Sequence, residues 1–339
     1  MTTTDFAELH DDLRAVAADL LGRDRVVDWS TVVDAGWVGL EVPEALGGAG
    51  ASFAEVAVIC QELGRASATS RYLGSAVLSV GMLNSLPDSE VRDGLLADVA
   101  AGRTRVAAIL GGAFTLDAGS RLTGRADFVP DVDGADRLLV AATDTTGADV
   151  AVVVETLNVT DQPLLDETRR VATVAADEIT VPDSAVLRFA GSPKTLADRA
   201  AVAVACDSLG LAEAMLAATV AYAQTRQQFG RPIGSFQAVK HACADMLVKV
   251  TVARTLVRDA VHAVAVGGSD GSDVDAAVAM AKSYTCAAAV DVVGKALQLH
   301  GGIGYTWESG IHVYLKRATF NRSLFGSPAA HRRRLAQRY

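Results

Sequence analysis

The chain has 339 residues, of which 50% are hydrophobic, enough for a substantial core and more than one domain. Its formal net charge of -9 disfavours nonspecific nucleic-acid binding, which needs a basic footprint. The four cysteines, Cys60, Cys206, Cys243 and Cys286, are widely spaced and form no CxxC pair, so the sequence supports neither a metal site of zinc type nor a disulfide framework.

The segment 1-MTTTDFAELHDDL-13 is acidic and lacks an apolar signal core, and apolar runs such as 196-LADRAAVAVACDSLGLAEAMLAA-218 carry charges. The expectation is a cytoplasmic protein with no membrane span. Residues 5–21 place Phe6, Leu9, Leu13, Val16 and Leu20 at spacings of three and four, which predicts an amphipathic helix. Asp28 or Ser30 is a candidate cap for a helix carrying Val32, Val33 and Trp37. Pro43 and the glycines of 39-GLEVPEALGGAG-50 break the pattern into a structured loop. Residues 53–68 read as helix with Phe53, Val56, Ile59, Cys60 and Leu63 inward. The segments 73–86 and 88–102 follow as a buried and a short amphipathic helix. Residues 1–104 thus form an N-terminal helical domain.

From residue 105 the segments become short and β-branched: 105-RVAAILGG-112, 121-RLTGRADFVP-130, 137-RLLVAAT-143, 149-DVAVVVET-156 and 170-RVATVAADEITVP-182. Turn signals such as 131-DVDGAD-136 and 144-DTTGAD-149 separate them. No long helix intervenes and no GxGxxG opens one, which disfavours a doubly wound nucleotide fold. Residues 105–190 are predicted to form a β domain.

Residues 191–339 return to helical periodicity: 196–224, then from near Ser235 past Ala265 with Phe236, Val239, Cys243, Met246, Leu247 and Val250 on one face, then 274–300, then 308–323. Successive long helices joined by short turns make an antiparallel bundle. The fold class is α+β, in the order helices, β domain, bundle.

Two stretches of the bundle concentrate the chemistry, 219-TVAYAQTRQQFGRPIGSFQAVK-240 and 297-LQLHGGIGYTWE-308. Arg226 and Arg231 present guanidinium forks suited to pyrophosphate or carboxylate, or else pair a surface acid. Phe229 stacks on a planar ring or seals the turn. Gly301, Gly302 and Gly304 let backbone N–H groups approach an anion, or form a helix C-cap and turn. His300 is more simply a packing residue, Glu308 a carboxylate at the start of the last helix, and 332-RRR-334 a solvated basic tail. His241 and His262 are too far apart on one helix for a metal pair.

Together the two stretches resemble the C-terminal domain of the acyl-CoA dehydrogenase flavoproteins. The family turn RxxFGxPI is matched by Arg226, Phe229, Gly230, Pro232 and Ile233, and the element QxxGGxG by Gln298, Gly301, Gly302 and Gly304. The loop 36-GWVGLEVPEALGGAG-50 and the domain order extend the resemblance over essentially the whole chain. It implies FAD, α,β-desaturation of an acyl-CoA thioester by a glutamate base with hydride passing to the flavin, and electron-transfer flavoprotein as a possible acceptor. It also implies that Arg226, Phe229, Gln298, Gly301 and Gly302 grip FAD across a subunit interface.

The departures concern the base and the flavin loop. The family glutamate precedes Gly and Thr or Ser, and in 322-RSLFGSP-328 its position is Phe325. A second family branch carries its glutamate on the first bundle helix, at Ala200 here. Neither residue abstracts a proton. Asp198 lies about 3 Å of helix rise from Ala200 and rotated away. Asp198, Asp207 and Glu308 remain as atypical bases. The flavin loop TEPxxGSD is replaced by 108-AILGGAFTLDAG-119, and the tryptophan often found on a following strand is not evident. The expectation is a noncatalytic subunit, with no catalytic residue of its own, that completes the FAD site of a related catalytic subunit, the acyl-CoA being held mainly by that partner. A self-sufficient flavoenzyme and a FAD-free acyl-binding scaffold are the alternatives.

Overall fold

A computed structural model describes residues 3–189, 193–267 and 271–338. The chain divides into two compact units that interleave along the sequence. One holds Val26–Val56 and Ser70–Ala200; the other holds Met1–Arg25, Ala57–Thr69 and Ala201–Tyr339.

The N-terminal helices are α1 (Thr3–Arg23), α2 (Trp29–Asp34), α3 (Phe53–Arg65), one π-helical segment (Leu73–Leu78) running into α4 (Ser79–Asn84), and α5 (Glu90–Ala100). Helix α3 buries the expected Phe53, Val56, Ile59, Cys60 and Leu63. Its start is a capping box: the Ser52 N–H and hydroxyl donate to Glu55 at 2.8 and 2.7 Å, and the Ala54 N–H donates to the Ser52 hydroxyl at 3.1 Å. On α1 the inward face differs from expectation. Leu9 and Val16 are exposed, whereas Ala17 and Leu21 are buried.

The middle strands are β1 (Val106–Ile109), β2 (Thr115–Leu116), β3 (Arg121–Pro130), β4 (Arg137–Asp144), β5 (Asp149–Val154), β6 (Asn158–Gln162), β7 (Val171–Thr180) and β8 (Val186–Arg188). They form one sheet in the order β6-β7-β3-β2-β4-β5-β8, with β1 parallel to β4. Ile109, Phe114, Leu122, Val140, Val152 and Val174 belong to its core. A register shift between Ala126 and Val129 on β3 leaves Phe128 exposed with φ of 57°. At one end of the sheet the buried Asp131 accepts from the Gly74 N–H at 2.7 Å, holding the π-helical segment. A Cβ on Gly74 would meet the Pro130 carbonyl at 2.5 Å, so glycine is needed there.

The C-terminal elements are α6 (Lys194–Thr225), a two-residue hairpin of β9 (Gln227–Gln228) and β10 (Arg231–Pro232), α7 (Gln237–Val266), α8 (Gly271–His300), α9 (Ile311–Ser323) and α10 (Pro328–Ala336). Every residue of α6 from Ala200 to Glu213 is buried, the apolar ones in the core and Asp207 and Glu213 in ion pairs with Arg317 and Arg65. Among the described residues two helical spans are long and apolar enough to cross a bilayer, Lys194–Thr225 and Asp273–Tyr305; they bury 83% and 61% of their most apolar windows, so burial in the protein accounts for their composition. Within the bundle unit α3 and α6 cross closely: a Cβ on Gly64 would lie 2.0 Å from the Asp207 carbonyl, and one on Gly210 would lie 1.9 Å from the Gln61 carbonyl.

Helix α7 buries Met246, Val250, Ala253, Val257 and Ala260, while the expected Leu247 is exposed beside Val248 and Val252. The basic C-terminus is helical, with Arg332 and Arg333 exposed on it. Ser327 caps it by accepting from the Ala330 N–H at 3.2 Å, Pro328 opens it, and Arg334 pairs with Asp275.

Candidate functional site

The first motif stretch is built by the end of α6. The Arg226 N–H closes the last helical turn on the Tyr222 carbonyl at 2.9 Å, and the Ile233 N–H returns to the Arg226 carbonyl at 2.8 Å. Between them Gln227–Gln228 pair antiparallel with Arg231–Pro232. The tip is Phe229–Gly230, both left-handed, with φ of 53° and 76°. A phenylalanine in that region costs about 1–2 kcal/mol, and the turn holds it there. Phe229 is 91% exposed, and its ring makes a T-shaped pair with Phe236, with centroids 6.1 Å apart. Arg231 lies over the Phe236 ring at 4.2 Å. The Arg226 side chain is exposed and meets no carboxylate among the described residues.

The second stretch ends α8. Gln298 is exposed and its Oε1 accepts from Lys295 Nζ at 2.8 Å. Gly301 takes φ of 63° and turns the chain out of the helix, so the C-cap reading is correct for it. Gly302 has no positive φ, and a Cβ there would meet nothing within 4 Å; the same open space surrounds Gly301. Nothing within the described chain requires glycine at 302. By contrast Gly304 is buried, with a Cβ position 2.6 Å from the Leu297 carbonyl, and serves the fold.

The fold brings the two stretches to one end of the bundle. Tyr222, one turn before Arg226, stacks on His300, the residue before Gly301, with centroids 4.4 Å apart and planes at 20°. Its hydroxyl reaches the His300 carbonyl at 3.4 Å, and His300 Nδ1 donates to the Ala296 carbonyl at 2.7 Å. The exposed guanidinium, the outward aromatic ring and the open backbone glycines suit a diphosphate and a planar ring.

The two positions that the family resemblance assigns to the base are Ala200 and Phe325. Ala200 is fully buried in α6. Phe325 is half-buried with φ of 54°, followed by Gly326 at 100°. Its carbonyl accepts from His331 Nε2 at 3.0 Å, and the fully buried Lys282 donates to the Asn321 and Gly326 carbonyls at 2.9 and 3.0 Å. Burial holds the Lys282 ammonium below the ordinary lysine range and pushes the His331 imidazole down, with Lys282 and Arg334 adding to the effect on the histidine.

Among the atypical bases, Asp207 is tied into the core. It is buried, faces the fully buried Arg317 guanidinium with Nε at 3.0 Å, and accepts from Asn321 Nδ2 at 2.6 Å. Asp198 is also buried. Glu308 is exposed in a separate short turn, Trp307–Ser309, and not at the start of α9, so the helix-dipole explanation does not apply to it.

In the segment 108–119, Leu110–Ala113 form a loop in which Gly111 and Gly112 have φ of 91° and 79°. A Cβ on Gly112 would lie 2.3 Å from the Arg125 carbonyl, so that glycine serves packing. The segment's one hydroxyl, Thr115 Oγ1, points to the Thr123 carbonyl at 3.5 Å. These residues do not fit a flavin cradle of hydroxyls. The outward stance of Phe128 on β3 is not legible in the sequence, because a bulge inverts strand alternation.

A cleft of about 580 Å³ in the bundle unit, lined by Leu21, Arg25, Glu62, Arg65 and Tyr314 among others, contains none of these residues. Its charges are internally matched, with Arg65 paired to Glu62 and Glu213 and Arg25 over the Tyr314 ring.

Residues 2–103 match the N-terminal domain of acyl-CoA dehydrogenases and residues 193–339 the C-terminal domain. The acyl-CoA dehydrogenase IpdE2 of Mycobacterium tuberculosis is 36% identical over 329 residues, covering 95% of this chain and 89% of its own length. The ChsE4–ChsE5 complex of Mycobacterium tuberculosis contains a chain that superposes with a TM-score of 0.89 at 25% identity, over 99% of this chain and 97% of that one. The steroid ACAD Tcur3481–Tcur3483 gives 0.86 at 26% identity over 98% and 97%. With both terminal domains matched and a relative of this identity along nearly its full length, the chain belongs to the acyl-CoA dehydrogenase family.

Proposed function

We propose that this chain is a noncatalytic subunit of an FAD-dependent acyl-CoA dehydrogenase and completes the cofactor site of a related, catalytic subunit. One observation carries the reading. Arg226, Phe229, Gly301 and Gly302 are exposed at one end of the bundle with no internal role among the described residues for the guanidinium or for glycine at 302, and the family resemblance assigns the base positions to Phe325 and Ala200. In this reading Arg226 pairs the FAD diphosphate, Phe229 covers a planar part of the cofactor, and Gln298 with the N–H groups around Gly301 and Gly302 donates to it. Bound FAD would accept the hydride in α,β-desaturation of an acyl-CoA thioester. The proton is abstracted on the partner, since Phe325 and Ala200 lack a basic atom. The likeness to a steroid ACAD supports a bulky, steroid-derived acyl group, and electron-transfer flavoprotein is the acceptor that family membership suggests.

The test is co-expression with the family member encoded beside this chain, followed by a flavin count. The expected result is a co-purifying complex with one FAD for each pair of unlike chains and negligible dehydrogenase activity in this chain alone. A yellow, fully active homo-oligomer with one FAD per chain would overturn the proposal. The closely held Asp207–Arg317 pair argues against the self-sufficient alternative using Asp207.

A further inference from the structure

We infer that Tyr222 and His300 are the positioning pair that locks the Arg226 hairpin to the Gly301–Gly302 bend, so that the two elements act on FAD as one preformed clamp; the inference rests on the function proposed above. The two motifs lie on different helices, and the chain that links them is the whole of α7 and α8. Diphosphate recognition by a guanidinium and backbone N–H groups fails if their spacing drifts, because each donor must reach the same ligand. Something must therefore set that spacing at the helix ends, where fraying is greatest.

The Tyr222–His300 stack lies at that place. Tyr222 is one helical turn before Arg226, and its carbonyl accepts the Arg226 N–H at 2.9 Å. A rotation of the tyrosine's turn therefore moves Arg226. On the other side His300 adjoins Gly301, the left-handed residue where the backbone leaves α8. The histidine is fixed by three contacts: the ring stack at 4.4 Å, the Tyr222 hydroxyl on its carbonyl at 3.4 Å, and its own Nδ1–H on the Ala296 carbonyl at 2.7 Å. Because Nδ1 donates to a carbonyl, a neutral ring carries its proton there and leaves Nε2 as an acceptor. Just past the hairpin Gly234 packs against the Ala223 carbonyl, its Cβ position lying 2.8 Å away, so the segment leaving the hairpin leans on the residue next to Tyr222. Neither Tyr222 nor His300 need touch FAD for this role.

The experiment titrates FAD into the deflavinated complex of this chain with its co-expressed family partner, reading flavin fluorescence and visible absorbance. Four variants are compared: Tyr222→Phe, Tyr222→Leu, His300→Leu and Arg226→Ala. Tyr222→Phe keeps the stack and should bind FAD within about twofold of the parent. Tyr222→Leu and His300→Leu lose the stack and should bind about three- to tenfold more weakly, the range set by an aromatic pair. Arg226→Ala should lose roughly tenfold or more, as for a charged hydrogen bond. Circular dichroism of each variant guards against misfolding, and if Tyr222→Leu does not fold, His300→Leu carries the comparison. Weak binding by Arg226→Ala with full binding by both leucine variants would overturn the positioning role and leave the proposed function standing. Full binding by Arg226→Ala would overturn the proposed function and this inference with it.

Discussion

At the residue scale the two Phe–Gly pairs show how one local geometry serves opposite ends. Phe229–Gly230 and Phe325–Gly326 are both left-handed, yet the first ring stands in solvent and the second is half-buried in a loop fixed by Lys282 and His331. The motif positions of Arg226, Phe229, Gln298, Gly301 and Gly302 were readable from sequence because side-chain identity carries them. Their exposure and the Tyr222–His300 contact were not, since those depend on where two distant helices end. The Phe325 loop gives a pH prediction. Burial holds His331 below 6.5, so near that pH the unfolded chain binds more protons than the folded one. Stability therefore rises with pH through this range and falls as pH drops below the ordinary histidine value. His331→Gln should flatten the melting temperature between about pH 7.5 and 5.5 relative to the parent. An unchanged slope in the variant would assign the effect to other groups.

At the element scale, what the sequence showed was what periodicity controls. Helix α3 presents its predicted face because large apolar residues recur along one side. On α1 the inward positions include a small residue, Ala17, which a search for large side chains passes over. The short strands β2, β6 and β8 escape sequence reasoning because their pairing is set by neighbours: Asn158 to Asp161 of β6 are all exposed, with no buried face to announce the strand. The Ser327–Pro328 start of α10 was a legible cap signal that the arginine run obscured. The crossing of α3 and α6 yields a second prediction. Gly210→Ala puts a methyl group into the Gln61 carbonyl, and the backbone cannot yield as a side-chain tip would. The expected loss is about 1–3 kcal/mol of stability in chemical denaturation, the cost of overpacking. Gly302→Ala, which enters open space, is the control expected within about 0.5 kcal/mol. Equal effects at the two positions would contradict the account of both glycines.

At the scale of the whole molecule, an acidic chain of 339 residues buries Arg317, Asp207, Lys282 and Asn321 in its bundle and leaves Leu247, Val248 and Val252 on the surface of α7. The buried ions are matched to carboxylate or carbonyl partners. These exposed apolar residues and the outward Phe229 are the kind of surface that association covers. The open backbone at Gly302 has a calorimetric consequence. Melting of this chain alone registers only internal contacts, so Arg226→Ala and Gly302→Val should leave its thermogram within about 0.5 kcal/mol of the parent. Melting of the FAD-loaded assembly includes the binding free energy of everything held at that end of the bundle, so the same substitutions should lower its transition temperature, more so at low flavin concentration. A pair of thermograms thus sorts each residue by allegiance, to this polypeptide or to the assembly.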